Sequence, residues 1–247
     1  MKVREIKAKS ILSKSKVFDY VLNPYVGCEH ACSYCFARVM KRFTGHKEPW
    51  GKFVDVKINA PELLNEEIKR KEKERVWISG MCDPYQPLEK KYEITRKCLQ
   101  IFCENEWPIT IQTKSPLVLR DLDILKNFED AEVGFTITTA DEKIRKTFEP
   151  HAPSIQARIN ALEKLKKANI PTYAMIGPIL PKAEKLVERL RGKVDYVLVD
   201  RMNYHYADHV YKKHKLEHAM SDNFFYKKKE EFTKAFKKEG IKCEILF

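Results

Sequence analysis

The sequence predicts one α/β domain built around a parallel sheet of six strand–helix units and followed by a helical extension. Short apolar runs alternate with amphipathic stretches along most of the chain, the pattern of successive βα units. A length of 247 residues suits one such core. Hydrophobic residues make up 43% and charged residues 33% of the chain, enough to fill that core and cover its surface. Six units are too few for a complete eight-fold barrel.

Residues 1–16 show no strong period and are expected to drape over the outside as an N-terminal extension. Residues 17–23, a β-branched and aromatic run closed by Asn23-Pro24, read as the first strand. Residues 33–43 read as a helix with Val39 and Met40 inward and Arg38, Lys41 and Arg42 outward, stopped by Gly45. An extended piece at 53–58 leads to Asn59-Ala60-Pro61, a cap and a first-turn proline that open a helix to about Glu74. Further strands are expected at 76–79, 108–112, 132–137, 171–176 and 196–199, with helices near 88–104, 117–128, 154–168 and 182–191. Nothing marks a boundary inside 17–200. The tail 201–247 is a basic extension, in which Ser221 or Asp222 caps a helix with Phe224, Phe225, Phe232 and Phe236 on one stripe and lysines opposite. Cys243 is expected buried in a last strand.

The first strand runs into VLNPYVGCEHACSYCFAR, residues 21–38, which spaces Cys28, Cys32 and Cys35 by three residues and then two. So short a loop holds its three sulfurs around one small centre, and an iron–sulfur cluster fits best. Structural zinc is usually closed by four ligands, and electron-transfer 4Fe–4S clusters use four cysteines. A trio leaves one metal position vacant. His30 could fill it, although its place in the same tight loop makes convergence awkward. A zinc site or an ordinary structural loop stays open at this level.

At these residues the chain resembles the radical S-adenosylmethionine (radical SAM) superfamily, which shares this spacing and commonly an aromatic before the third cysteine, here Tyr34. The NPY-GC-H-C-YC-AR pattern resembles the spore-photoproduct-lyase-like branch in particular. SGMCDPYQPLEKKYEITR at 79–96, TKSPLVLRDLDIL at 113–125 and FTITTADEKIRKTFEPHAPSIQAR at 135–158 extend the likeness. The resemblance implies an open, six-stranded partial barrel with its active site at the carboxyl ends of the strands. It implies a 4Fe–4S cluster on Cys28, Cys32 and Cys35 whose open iron takes the amino and carboxylate groups of S-adenosylmethionine. Electron transfer then breaks the sulfonium bond and releases methionine and a 5'-deoxyadenosyl radical, chemistry that belongs to the cofactor. An electron donor such as ferredoxin or flavodoxin is implied as a partner.

The same resemblance assigns roles along the strand ends. Asp83 is expected to receive the cofactor's amino group, and Lys114 to pair with its carboxylate. Thr136 and Thr138 would reach its ribose or carboxylate. Glu149, His151 and Arg158 would position the cofactor or brace the barrel mouth, while Gly177 would let the backbone approach the adenine and Tyr34 would lie near that ring. The branch carries a hydrogen-donating cysteine in the region of Cys82. It also places a second tyrosine after the third cysteine to return hydrogen to the cofactor. This chain has Phe36, which has no O–H to give, so that relay cannot run here unchanged. Arg201, Asn203 and Tyr204, beyond the sixth strand, are candidates for substrate contact. His205 and His209, four apart, could bind a metal if helical.

No apolar run approaches the roughly 20 residues that span a bilayer, and residues 1–16 are polar and basic rather than a signal peptide. Seven cysteines, an odd number, argue against a disulfide framework. A cytoplasmic location is expected. The formal charge of +12 favours an anionic partner such as nucleic acid, although Lys and Glu enrichment with few glycines is also a thermophile habit. The expected activity is hydrogen abstraction from an unidentified substrate, with nucleic acid first. The alternatives are a peptide or small metabolite, or a non-enzymatic iron–sulfur redox or binding protein.

Overall fold

The computed structural model describes residues 1–247. In chain order its strands are β1 (Lys2–Ile6), β2 (Leu12–Lys14), β3 (Tyr20–Leu22), β4 (Tyr25–Val26), β5 (Phe53–Lys57), β6 (Val76–Ile78), β7 (Ile109–Thr113), β8 (Ala131–Thr136), β9 (Thr172–Ile176), β10 (Tyr196–Val199) and β11 (Lys242–Ile245). Eight of them form one sheet in the order β11-β10-β9-β8-β7-β6-β3-β2. Every pair from β3 to β11 is parallel, and β2 runs antiparallel at one edge. β2 and β11 do not pair with each other, so the barrel stays open. The six expected strands are the six central ones, β3 and β6 to β10.

Parallel strands need crossovers, and helices supply them on the outer face. Alternate residues such as Ile78, Ile111, Val133, Ala174 and Val197 are fully buried against those helices. The intervening Trp77, Gln112, Glu132, Met175 and Leu198 turn to the concave face and are only half-buried. The helix Ile155–Lys167 shows the logic locally. Ser154 Oγ accepts from the Ala157 N–H at 3.1 Å, and the buried Ile155, Arg158, Ile159, Leu162 and Leu165 then recur at three- and four-residue spacing. No helix is long and apolar enough to cross a membrane.

Several elements differ from expectation. Residues 1–16 are regular: β1 pairs with β5, and β4 completes a small separate sheet of order β1-β5-β4. Val39 and Met40 are only half-buried, Ala37 being the inward residue of a 3-10 helix, Phe36–Phe43. Asn59 caps nothing; its side-chain amide holds both the N–H and the carbonyl of Ala8. The helix it precedes stops at Glu67, whose carboxylate turns away to accept from the N–H groups of Ile11 and Leu12. The helix expected over 88–104 breaks at Glu93, which is left-handed at φ +53°. Glu89, from the first half, reaches across and accepts from Thr95 N–H and Arg96 N–H at the start of the second. The tail's helix, Asp222–Lys238, is capped by Ser221 and buries Phe225, Phe232 and Phe236. Cys243 is half-buried in β11, which joins the main sheet.

Candidate active site

The cysteine loop is shaped first by its backbone. Gly27 sits at φ +92°, and a methyl group there would lie 2.4 Å from the Phe53 carbonyl oxygen, a backbone atom that cannot swing aside. Ala31 is also left-handed, at φ +54°. The turn closes on itself through Ala31 N–H to Cys28 O at 3.3 Å and Cys35 N–H to Cys32 O at 3.2 Å. Gly27→Ala is therefore expected to destabilise by about 1–3 kcal/mol, lowering Tm by about 2–12 °C at this chain length. A melting curve that coincides with the wild type's would refute this account of the loop.

Side chains then pin the loop at both ends. On one side Gln86, fully buried, donates to Gly27 O at 3.2 Å and accepts from Glu29 N–H at 3.0 Å. Glu29 in turn accepts from Leu88 N–H at 2.6 Å. On the other side the loop docks on the end of a helix that the sequence reading missed, Glu142–Phe148. Ser33 N–H donates to Phe148 O at 2.8 Å, and His151 N–H to His30 O at 3.3 Å. The Tyr34 hydroxyl donates to Glu149. Cys28 and Cys32 are buried and Cys35 half-buried, and none is in a disulfide.

Two charged groups flank the trio. Beside Cys28 lie His30 and Asp83, His30 Nδ1 being 3.3 Å from Asp83 Oδ2. That contact is ionic only, since His30 Nδ1 has no aligned hydrogen-bond partner. Burial works against a charged imidazole, but the Cys28 sulfur and Asp83 outweigh it and raise the His30 pKa to about 10. His30 thus turns its Nδ1 to Asp83. Asp83 also accepts from Tyr85 N–H at 2.9 Å, Thr113 Oγ1 at 2.6 Å and Lys114 N–H at 2.7 Å. A carboxylate offers about four acceptor positions, so these three hydrogen bonds hold Asp83 firmly in place and leave about one position for a further donor. Cys82 faces the same corner, with Sγ 2.7 Å from Ser79 Oγ. Burial chiefly, then the Cys28 sulfur and Asp83, pushes its thiol up to about 12 against the hydrogen bond from Ser79, which lowers it.

Around Cys32 and Cys35 the chemistry is cationic. The Lys114 ammonium lies 5.8 Å from the centre of the Tyr34 ring and forms no hydrogen bond or ion pair within the chain. Burial opposes its charge, but the Cys32 sulfur, Glu149 and Asp83 prevail and hold it protonated. Burial pushes the Cys32 and Cys35 thiols up to about 11. Glu149 and Arg158, both fully buried, form an ion pair at 2.5 Å. Glu149 also accepts from Thr138 Oγ1 at 3.0 Å, and Arg158 donates to Thr136 O at 2.9 Å. Thr138, Glu149 and Arg158 are thus tied together at the mouth, and the Thr136 hydroxyl accepts from Gln112 at 3.2 Å. Gly177 has Met175 and Asp200 as its neighbours.

Beyond β10 two candidates for substrate contact prove to be engaged elsewhere. Arg201 pairs with Asp222 at 2.7 Å and lies over the Phe225 ring, and Asn203 donates to Asp200 at 2.8 Å. Tyr204 is exposed. His205 leans on Asp208 at 3.1 Å, and no third ligand joins it and His209.

A family profile described as the radical SAM superfamily matches residues 22–197. The chain belongs to the radical SAM superfamily. Members use a 4Fe–4S cluster and S-adenosylmethionine, and this radical SAM chain is accordingly an enzyme, not a passive iron–sulfur protein. An uncharacterised protein of Methanocaldococcus jannaschii is 40% identical over 184 residues, covering 73% of this chain and 69% of that one. An uncharacterised protein of Mycobacterium tuberculosis is 29% identical over 199 residues, and the match spans 58% of its length. A radical SAM Nα-GlyT isomerase of Pseudomonas phage M6 is 23% identical over 160 residues, 64% of this chain and 32% of that one. Among solved structures, spore photoproduct lyase complexed with dinucleoside spore photoproduct superposes with a TM-score of 0.74 over 99% of this chain and 82% of that one, at 14% identity. Streptococcus suis SuiB bound to S-adenosylmethionine does so at 0.60, covering 91% and 49% at 17% identity. The radical SAM cofactors fit the donor set present: three free thiols on one anchored loop and, beside them, an ammonium without a partner.

Proposed function

We propose that Cys28, Cys32 and Cys35 hold the 4Fe–4S cluster, that Lys114 receives the carboxylate of S-adenosylmethionine, and that the enzyme abstracts hydrogen from a nucleic acid. When bound, the cluster supplies the electron that breaks the cofactor's sulfonium bond and leaves a 5'-deoxyadenosyl radical. The Lys114 ammonium beside the cysteine loop carries the reading, because a half-buried charge with no anion in hydrogen-bond contact is costly unless a ligand anion completes it. His30 and Asp83 fix the Cys28 end of the loop. Tyr34, through Glu149, fixes the Cys32–Cys35 end. Cys82, at the Cys28 end, keeps its hydrogen on Sγ, which suits a donor to a product radical.

The nucleic-acid assignment is supported by the net charge of +12 and by the dinucleoside bound in the similar spore photoproduct lyase. A ferredoxin or flavodoxin is the proposed reductant. The test is anaerobic reconstitution with dithionite and S-adenosylmethionine, in which 5'-deoxyadenosine should form. Lys114→Met should raise the KM for S-adenosylmethionine roughly tenfold to a hundredfold, the effect of one lost charged hydrogen bond. A Lys114→Met enzyme with unaltered KM would remove the carboxylate assignment, and a protein yielding no 5'-deoxyadenosine would remove the reaction.

A further inference from the structure

Three aromatic rings beside the cysteine loop stack on one another, Phe36 and Tyr204 exposed and Tyr206 half-buried. Phe36, bonded directly to Cys35, lies 5.9 Å from Tyr204 at an interplanar angle of 20°. Tyr204 lies 5.9 Å from Tyr206 at 23°. The Arg38 guanidinium covers the Tyr206 ring at 5.0 Å. Phe36 is 39% exposed and Tyr204 50% exposed, so the ladder is no part of the hydrophobic core. Single exposed aromatics are ordinary on a protein surface. A stacked set that joins the 3-10 helix Phe36–Phe43 to the loop after β10, at the carboxyl ends of the strands, is not accounted for by packing.

The charge around the ladder selects its occupant. Arg38 has no carboxylate partner in the chain, and its Nε is buried without any hydrogen bond. Residues 36–47 contain Arg38, Lys41, Arg42 and Lys47 and no acidic residue. Aromatic faces next to unpaired cations match the two faces of a nucleotide: a base that stacks and a phosphate that takes a guanidinium. A duplex keeps its bases stacked on each other and offers mainly phosphates, whereas an unpaired strand offers both. We propose that Phe36, Tyr204 and Tyr206 form a stacking platform for unpaired bases of a single-stranded nucleic acid, with Arg38 holding an adjacent phosphate. This rests on the nucleic-acid reading above and narrows it. It also gives Phe36 a use that needs no hydroxyl, at the position where the resembling branch carries a tyrosine.

The test is a fluorescence-anisotropy titration of the full-length, anaerobically reconstituted protein against fluorescein-labelled thymidine and uridine homopolymers and the duplex form of the first. Tighter binding of a single strand than of duplex is expected. Tyr204→Ala should weaken strand binding about tenfold, while Tyr204→Phe, which keeps the ring, should retain it. Arg38→Gln should reduce the slope of log affinity against log salt by about 0.7. If Tyr204→Ala loses its thermal transition, Tyr206→Ala carries the same expectation. Strand binding untouched in both alanine variants, or duplex bound more tightly than strand, overturns the platform and leaves the nucleic-acid reading standing. A wild-type protein that binds neither strand nor duplex at low salt overturns both.

Discussion

Replacing any one of Cys28, Cys32 or Cys35 by alanine is expected to abolish 5'-deoxyadenosine formation and to take the reconstituted protein from roughly four irons per chain to nearly none. The size of the effect follows from the ligand count. A cluster held at three corners has no protein sulfur in reserve, and His30, the nearest nitrogen donor in the loop, is turned to Asp83. The fold should survive the change. The loop is anchored by Gln86, Phe148, Glu149 and His151 through groups other than the thiols, and deleting one small sulfur costs an ordinary amount for a single substitution, about 1 kcal/mol. Iron should therefore fall, while the circular-dichroism melting curves of the metal-free proteins should differ by only about 2–4 °C. Cys98 is the control, since it is buried in the hydrophobic core and packs there as a small apolar group. Cys98→Ala should keep its iron. A triple Cys28/Cys32/Cys35→Ala protein with normal iron, or a wild type carrying zinc instead, defeats the assignment.

Legibility followed the range of the interactions. The six central strands could be read because each carries its own apolar period, and β10 coincides with the expected residues 196–199. The tail helix was legible for the same reason, with its serine cap and phenylalanine stripe both local in the sequence. β1 was not, because its outward residues are largely exposed and its regularity comes only from pairing Lys2–Ile6 with Phe53–Lys57, some fifty residues away. Asp83 shows the same limit in the site. From the sequence it is the one acid after the second central strand, and so the natural cofactor ligand. Its partners Thr113, Lys114 and His30 are each at least thirty positions away, and they fix its orientation. Gln86, buried and holding both Gly27 and Glu29, gave only a weak signal, a polar residue inside the CDPYQP run. Lys114 was legible as a cation just after a strand, β7. That it lacks a partner could be learned only from the packing around it.

The Glu149–Arg158 pair is where the largest loss of stability is expected. Both side chains are fully buried, and breaking such a pair by removing one partner costs about 3–5 kcal/mol, because the survivor's charge stays in a poorly solvating interior. At about 2–4 °C per kcal/mol for a chain of this length, Glu149→Gln should lower Tm by about 6–20 °C. The amide oxygen of glutamine can still accept from Tyr34 and Thr138, so the loss belongs mainly to the uncompensated Arg158, which also repels Lys114. Glu149→Gln combined with Arg158→Met should recover much of the loss, as a double-mutant cycle reads directly. Protonation offers a second measure of the same pair. Burial would raise the Glu149 pKa, but Arg158 and Lys114, with hydrogen bonds from Arg158 and Tyr34, hold it at about 2, below its ordinary 4.5. A native pKa below the unfolded one means stabilisation that is complete above about pH 4.5 and is lost as the pH falls through 2. The wild type should lose stability down this acid limb, and Glu149→Gln, with nothing to protonate, should follow a flatter one. Equal Tm values for the two proteins at neutral pH, or parallel acid limbs, would show that the barrel mouth is held by something other than this pair.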